Sequence, residues 1–250
     1  EITTRLVGSE MCIRDRLSEE MFKRLEDIPL IDKYEAYQLL DDDWTEIAVD
    51  LEIIQTEGTE AIKKVDPLMV TKKKGGKEQE VQDGWKGHII PFELVQNTIL
   101  LEEKERIKDK ENRLSEIASE YEEIFDSLTE EEKGFDFVSE DGWVISEVKR
   151  ALKSDSIELE TKEKLETIAK INDEEKSLKV EIKTKSASLE TKTKDIIENL
   201  SDEQASELLK AKWIIPLIQN IMQLPDRIIK ELVANIELLE KKYETTFEEI

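Results

Sequence analysis

Apolar residues recur at steps of three and four along most of this chain, the spacing of one face of an α-helix. Residues 17–56, LSEEMFKRLEDIPLIDKYEAYQLLDDDWTEIAVDLEIIQT, alternate acidic residues with Leu, Ile, Tyr and Trp at these steps and predict short helices broken near Pro29. From Val65 the pattern changes. In VDPLMVTKKKGGKEQEVQDGWKGHIIPFELV, β-branched residues flank Gly75-Gly76, which predicts a small β-hairpin insert turning at the two glycines. Pro91 suits the start of the next helix, because its missing N–H falls where no intrahelical partner exists.

Beyond Pro91 the period becomes seven. Leu100, Ile107, Leu114, Tyr121 and Leu128 share one heptad position, and Ile117 and Ile124 fill the second position in the later half. EEEKGFDFVSEDGWV interrupts the run with Gly134, Gly142 and three aromatic residues. Ile168, Ile182, Leu189 and Ile196 then resume one register, with Asn172, Glu175 and Lys179 as polar gaps in the seam. Two long helical arms joined by a compact tip predict an antiparallel coiled-coil hairpin over residues 93–200. Ser201 with Gln204 reads as a capping box opening the last segment, 201–250, which Pro216 and Pro225 are expected to divide into separate helices. Its final helix carries the seam Ile229, Leu232, Ile236, Leu239 and Tyr243, with Lys230, Glu231, Glu237, Glu240, Lys241 and Lys242 on the other faces. The fold class expected is therefore mainly α: a helical bundle with a long antiparallel coiled-coil hairpin and a small β-hairpin insert within residues 17–92.

Residues 5–16, RLVGSEMCIRDR, break the pattern and hold the only cysteine, Cys12. Leu6 to Asp15 can be written without a gap in the codons of a transposon-based sequencing adapter, with Arg5 and Arg16 as the split codons at its edges. Residues 1–16 are accordingly expected to be an adapter-derived artefact, and residues 17–250 the C-terminal piece of a longer protein. With Cys12 set aside, no disulfide or thiol chemistry is expected.

The charge is unaffected by that exclusion, since Arg5, Arg14 and Arg16 cancel Glu1, Glu10 and Asp15; the formal net charge is −24. A surface this acidic repels phosphate backbones and anionic membranes at long range, which argues against a role as the main DNA-gripping element. No apolar run reaches membrane-span length, so a cytoplasmic protein with no membrane partner is expected. A single histidine, His88, rules out a two-histidine metal site and reads as a packed or surface residue. Among 61 acidic residues, carboxylate pairs at helical spacing are solvated faces rather than acid–base dyads. No glycine-rich phosphate loop is present. The one basic cluster is KKKGGK, whose Lys72, Lys73, Lys74 and Lys77 are candidate phosphate contacts, with a solvated lysine-bearing turn as the plainer reading.

Three segments, LIDKYEAYQLLDDDWTEIAVDLEIIQTEG, VDPLMVTKKKGGKEQEVQDGWKGHIIPFELV and LKAKWIIPLIQNIMQLPDRIIKELV followed by LEKKYETTFEEI, resemble the C-terminal region of the modification (M) subunit of type I restriction-modification systems. The resemblance covers residues 17–250. It implies a parent enzyme that transfers a methyl group from S-adenosylmethionine to adenine N6 in DNA, in an assembly with a DNA-reading specificity (S) subunit and a restriction (R) subunit. It also implies DNA contact through the complex. The family's Asn-Pro-Pro-aromatic motif and glycine-rich cofactor loop are both missing here, so no catalytic or cofactor-binding residue carries over. The fragment is expected to hold no cofactor and to serve assembly, its last helices packing on helical spacers of the specificity subunit. A free-standing coiled-coil scaffold without enzymatic activity is the alternative.

Overall fold

The computed structural model describes residues 2–74, 77–139, 142–153 and 158–248; the expected Gly75-Gly76 turn lies outside the described residues. The fold is mainly α, with seven α-helices and two two-stranded antiparallel sheets among the described residues. The structure forms two compact units, residues 1–95 with 194–250, and residues 96–193.

The first unit opens with α1 (Ile2–Leu25) and α2 (Lys33–Glu57), separated by the segment containing Pro29. Asp32 starts α2 by accepting the Tyr34 backbone N–H at 2.7 Å, which satisfies one of the donors a helix start leaves free. Gly58 ends α2 at φ 83°, a conformation glycine adopts without a Cβ clash, and its N–H reaches the Ile54 carbonyl at 2.9 Å. A short 3-10 turn, Thr59–Lys63, leads into β1 (Val65–Lys74), which pairs antiparallel with β2 (Lys77–Gly87). The register shifts between Pro67 and Met69, where proline has no N–H to give the ladder. Gly87 closes the hairpin against the chain that follows it: a Cβ there would lie 1.7 Å from the Ile90 carbonyl oxygen, so only glycine fits.

Ile89, Ile90 and Val95 then enter a core with Ala61, Ile62, Ile197, Leu200, Ala205 and Leu208, all buried. Pro91 sits immediately before α3 (Phe92–Thr98) and its carbonyl accepts from Leu94 at 3.1 Å, as expected for a helix-starting proline.

The last helix departs from the sequence reading. Pro216 and Pro225 do not divide it: α7 runs unbroken from Asp202 to Glu248 with both prolines inside. Each proline removes one N–H, leaving the carbonyls of Lys212 and Ile221 without their i+4 donor. Forty-seven helical residues supply many other bonds, and Leu, Gln and Met between the two prolines, with Leu, Glu and Lys beyond them, favour the helix. The capping box expected at its start is present: the Gln204 N–H donates to Ser201 Oγ at 3.2 Å and the Ser201 N–H to Gln204 Oε1 at 3.0 Å.

The second unit contains α4 (Leu101–Asp126), β3 (Val138–Ser139), β4 (Gly142–Trp143), α5 (Ile145–Ala151) and most of α6 (Leu159–Glu198). The arms run antiparallel, as their cross-helix pairs show: Glu103 with Lys192 at 2.6 Å, Lys110 with Glu181 at 2.5 Å and Arg113 with Glu174 at 2.8 Å, one set of numbers rising as the other falls. Ile107, Ile117, Leu165, Ile168, Ile171 and Leu189 are buried along the seam. The polar gaps take different places. Asn172 is buried, Glu175 accepts the Tyr121 hydroxyl at 3.1 Å, and Lys179 stands 62% exposed and reaches back to Glu175.

The tip is a small core of its own, Phe137, Val148, Leu165 and Ile168, with Trp143 stacked on Phe137 at 6.4 Å. Glu132 ties it to the arms. Its carboxylate accepts the Thr129 N–H at 2.8 Å, the Thr161 hydroxyl at 2.8 Å and the Lys164 ammonium at 3.3 Å. The Thr129 N–H, with the Thr161 and Lys164 side chains behind it, holds this carboxyl down at about 2.

Candidate functional site

A helix from Asp202 to Glu248 can be anchored at one end and open at the other, and α7 is both. Its first half packs into the core through Ala205 and Leu208. Lys212 and Trp213 then fix it to α2. The Lys212 ammonium lies on the Asp50 carboxylate and also donates to the Ile89 carbonyl at 2.8 Å, while Trp213 Nε1 donates to the same Asp50 oxygen at 2.8 Å. Asp50 is buried. Nothing in the sequence marks this cluster, because Asp50 is one acidic residue among many and its partners lie more than 160 positions away. Farther along, Arg227 pairs with Glu35 of α2 at 2.5 Å.

Beyond Trp213 the helix presents an apolar face to solvent. The predicted seam residues are all about half exposed: Ile229 46%, Leu232 58%, Ile236 54%, Leu239 53% and Tyr243 51%. The unbroken helix also joins them to residues the sequence reading had placed in other helices. At about 100° per residue, Ile214, Ile218, Met222, Ile229, Leu232, Ile236, Leu239 and Tyr243 fall within an arc of roughly 100°. The stripe runs from Ile214 to Tyr243, about 44 Å at 1.5 Å per residue. At its near end it forms one wall of a groove of about 720 Å³, whose other walls include Leu17 and Met21 of α1 and Leu40, Trp44 and Leu51 of α2.

The candidate phosphate contacts lie together at the end of the β-hairpin, where Lys73 pairs in register with Glu78 and Lys74 with Lys77. Lys72 is engaged by Asp83 at 2.8 Å and Lys73 by Glu78 at 4.0 Å, so carboxylates on β2 offset part of the positive charge of β1. His88, at the base of the hairpin, is a partnered residue. Nδ1 lies 2.7 Å from Asp66 and Nε2 3.3 Å from Glu57, and the Asp66 hydrogen bond, with both neighbouring carboxylates, raises its pKa above the ordinary value. Cys12 is exposed on α1. Among the described residues no group of His, Cys, Asp and Glu is disposed to hold a metal ion, and no helix is long and apolar enough to cross a membrane.

No protein-family model, no curated protein and no solved structure matches this chain.

Proposed function

We propose that this chain is the C-terminal region of a type I restriction-modification M subunit, and that it holds the specificity subunit through the outer face of α7. The single observation behind this reading is the half-exposed apolar stripe from Ile214 to Tyr243 on a helix whose contacts to the rest of its unit run from Ala205 to Arg227 and leave the seam from Ile229 onward open. An apolar face of that length on a free helix is satisfied by another helix laid along it. The helical spacers that the family resemblance implies for the specificity subunit have that form. In this reading the fragment works in the cytoplasm, contributes no catalytic residue, and leaves methyl transfer from S-adenosylmethionine to adenine N6 to a preceding domain of the parent protein. The restriction subunit and DNA join through the assembled complex, with Lys72, Lys73, Lys74 and Lys77 of the hairpin as candidate phosphate contacts.

The reading is tested by the uninterrupted genomic reading frame upstream of Leu17. The expected result is a glycine-rich cofactor loop and an Asn-Pro-Pro-aromatic motif in that frame. A start codon close to Leu17 with neither motif would overturn it in favour of a free-standing scaffold.

A further inference from the structure

The β-hairpin stands in solvent on both of its faces. Residues 67–73 and 78–83 are exposed apart from Val70, and only the base of the ribbon, at Val65, packs on the core. Among the described residues no third strand pairs with either edge. A two-stranded hairpin is marginally stable at best on its own in water, so a ribbon ten residues long with both faces bare gains from a partner laid against it.

Strand alternation sorts its charges. Residues directly opposite in an antiparallel pair share a face, and successive residues along a strand switch faces. The register therefore places Lys72, Lys74 and Lys77 on one face and Lys73, Glu78 and Glu80 on the other. On the second face Lys73 lies 4.0 Å from Glu78, and the charge there is offset. On the first, Asp83 reaches Lys72 at 2.8 Å, while Lys74 and Lys77 meet in register. Like charges directly opposite one another cost stability, and an anion laid across them removes that cost. In a chain of net charge −24 this cationic face is a local exception.

We infer that the hairpin face carrying Lys72, Lys74 and Lys77 lies on the phosphate backbone of duplex DNA, and that Lys73 takes no part. The shape agrees with the charge, because the major groove admits a two-stranded β-ribbon and lysines along one face of it meet the phosphates beside the groove. Contacts of this kind position a protein without reading sequence, which suits a chain whose net charge disfavours gripping DNA alone. The face assignment rests on the reading that DNA meets this chain at the hairpin, and it narrows four candidate lysines to three.

Fluorescence anisotropy of a labelled mixed-sequence DNA duplex, titrated with the full chain across a salt series, tests it. Saturable binding that weakens as salt rises is expected. Lys72→Gln, Lys74→Gln and Lys77→Gln together should weaken it at least about tenfold and flatten its salt dependence, since each phosphate contact releases counterions. Two variants that each remove one charge separate the faces: Lys77→Gln should weaken binding, and Lys73→Gln should leave it unchanged. Equal weakening by these two would overturn the face assignment while keeping the hairpin as a DNA contact. Undiminished binding in the triple variant, or none by the wild-type chain at any salt, would overturn the inference and take the hairpin out of the DNA reading, leaving the docking of α7 to its own co-purification test. Phosphatidylserine vesicles bound in preference to the duplex would overturn it in favour of a membrane surface.

Discussion

Lys212 and Asp50 form an ion pair across 162 positions of sequence, with the two side chains only 18% and 8% exposed. It is one of the contacts that fix α7 against α2. The pair does not stand alone, because the Ile89 carbonyl and the Trp213 indole complete the hydrogen bonding that a buried charge requires.

Asp50→Ala is therefore expected to cost about 3 kcal/mol, since it strands a part-buried ammonium and leaves the Trp213 N–H without an acceptor. Urea unfolding of the variant and the wild-type chain gives the measurement. A change below about 0.5 kcal/mol, the level of an ordinary surface substitution, would show that the cluster does not hold α7 in place.

The Glu132 carboxyl makes a pH-dependent contribution. Its folded pKa of about 2 lies below the ordinary 4.5, so the stability it adds is fully present above 4.5 and is lost as pH falls through the folded value. Glu132→Gln should cost about 2 kcal/mol at pH 7, the scale of charged hydrogen bonds, and the gap from wild type should shrink as pH falls from 4.5 towards 2. A gap that stays constant over that range would contradict the assignment.

His88 works in the opposite sense. Its pKa is raised, chiefly by the hydrogen bond to Asp66, so its contribution is fully present below the ordinary 6.5 and disappears as pH rises through the folded value. The ring proton resonances of His88 should titrate with a midpoint above 6.5, and Asp66→Asn should bring the midpoint down. A wild-type midpoint at or below 6.5 would refute the contact.

On the proposal that residues 1–16 are an adapter-derived artefact, removing them should change stability by less than about 1 kcal/mol, because such a stretch has no evolved partners. Among the described residues its cross-helix ion pair, Arg14 with Asp41 at 3.2 Å, joins side chains 30% and 41% exposed, and pairs of that kind contribute little. Thermal melts of the full and shortened chains decide it, and a larger loss would show that the stretch packs as native sequence.

The helices, the hairpin and the coiled-coil seam were legible because each leaves a periodic trace. Steps of three and four mark α2 and the arms, β-branched residues around Gly75-Gly76 mark the strands, and Ser201 with Gln204 marks the start of α7. Thr129 and Glu132, also three residues apart, form the same reciprocal pair of capping bonds. The course of α7 was misread because proline is a local stop signal, whereas the outcome depends on the whole helix. The Asp50, Lys212 and Trp213 cluster left no trace at all. It depends on residues brought together only by folding, from positions whose local context is an ordinary helix face.

The central claim, that the outer face of α7 docks on the specificity subunit, is tested most directly by Ile236→Asp in a co-purification with that subunit. Ile236 is 54% exposed in the chain, so the circular dichroism of the variant alone should match wild type. In a dry helix–helix contact the new carboxylate would be buried without a partner, and affinity should fall at least about a hundredfold. Lost binding with intact helicity is the predicted result. Retained binding would contradict the account, as would a variant whose own helicity and melting temperature collapse.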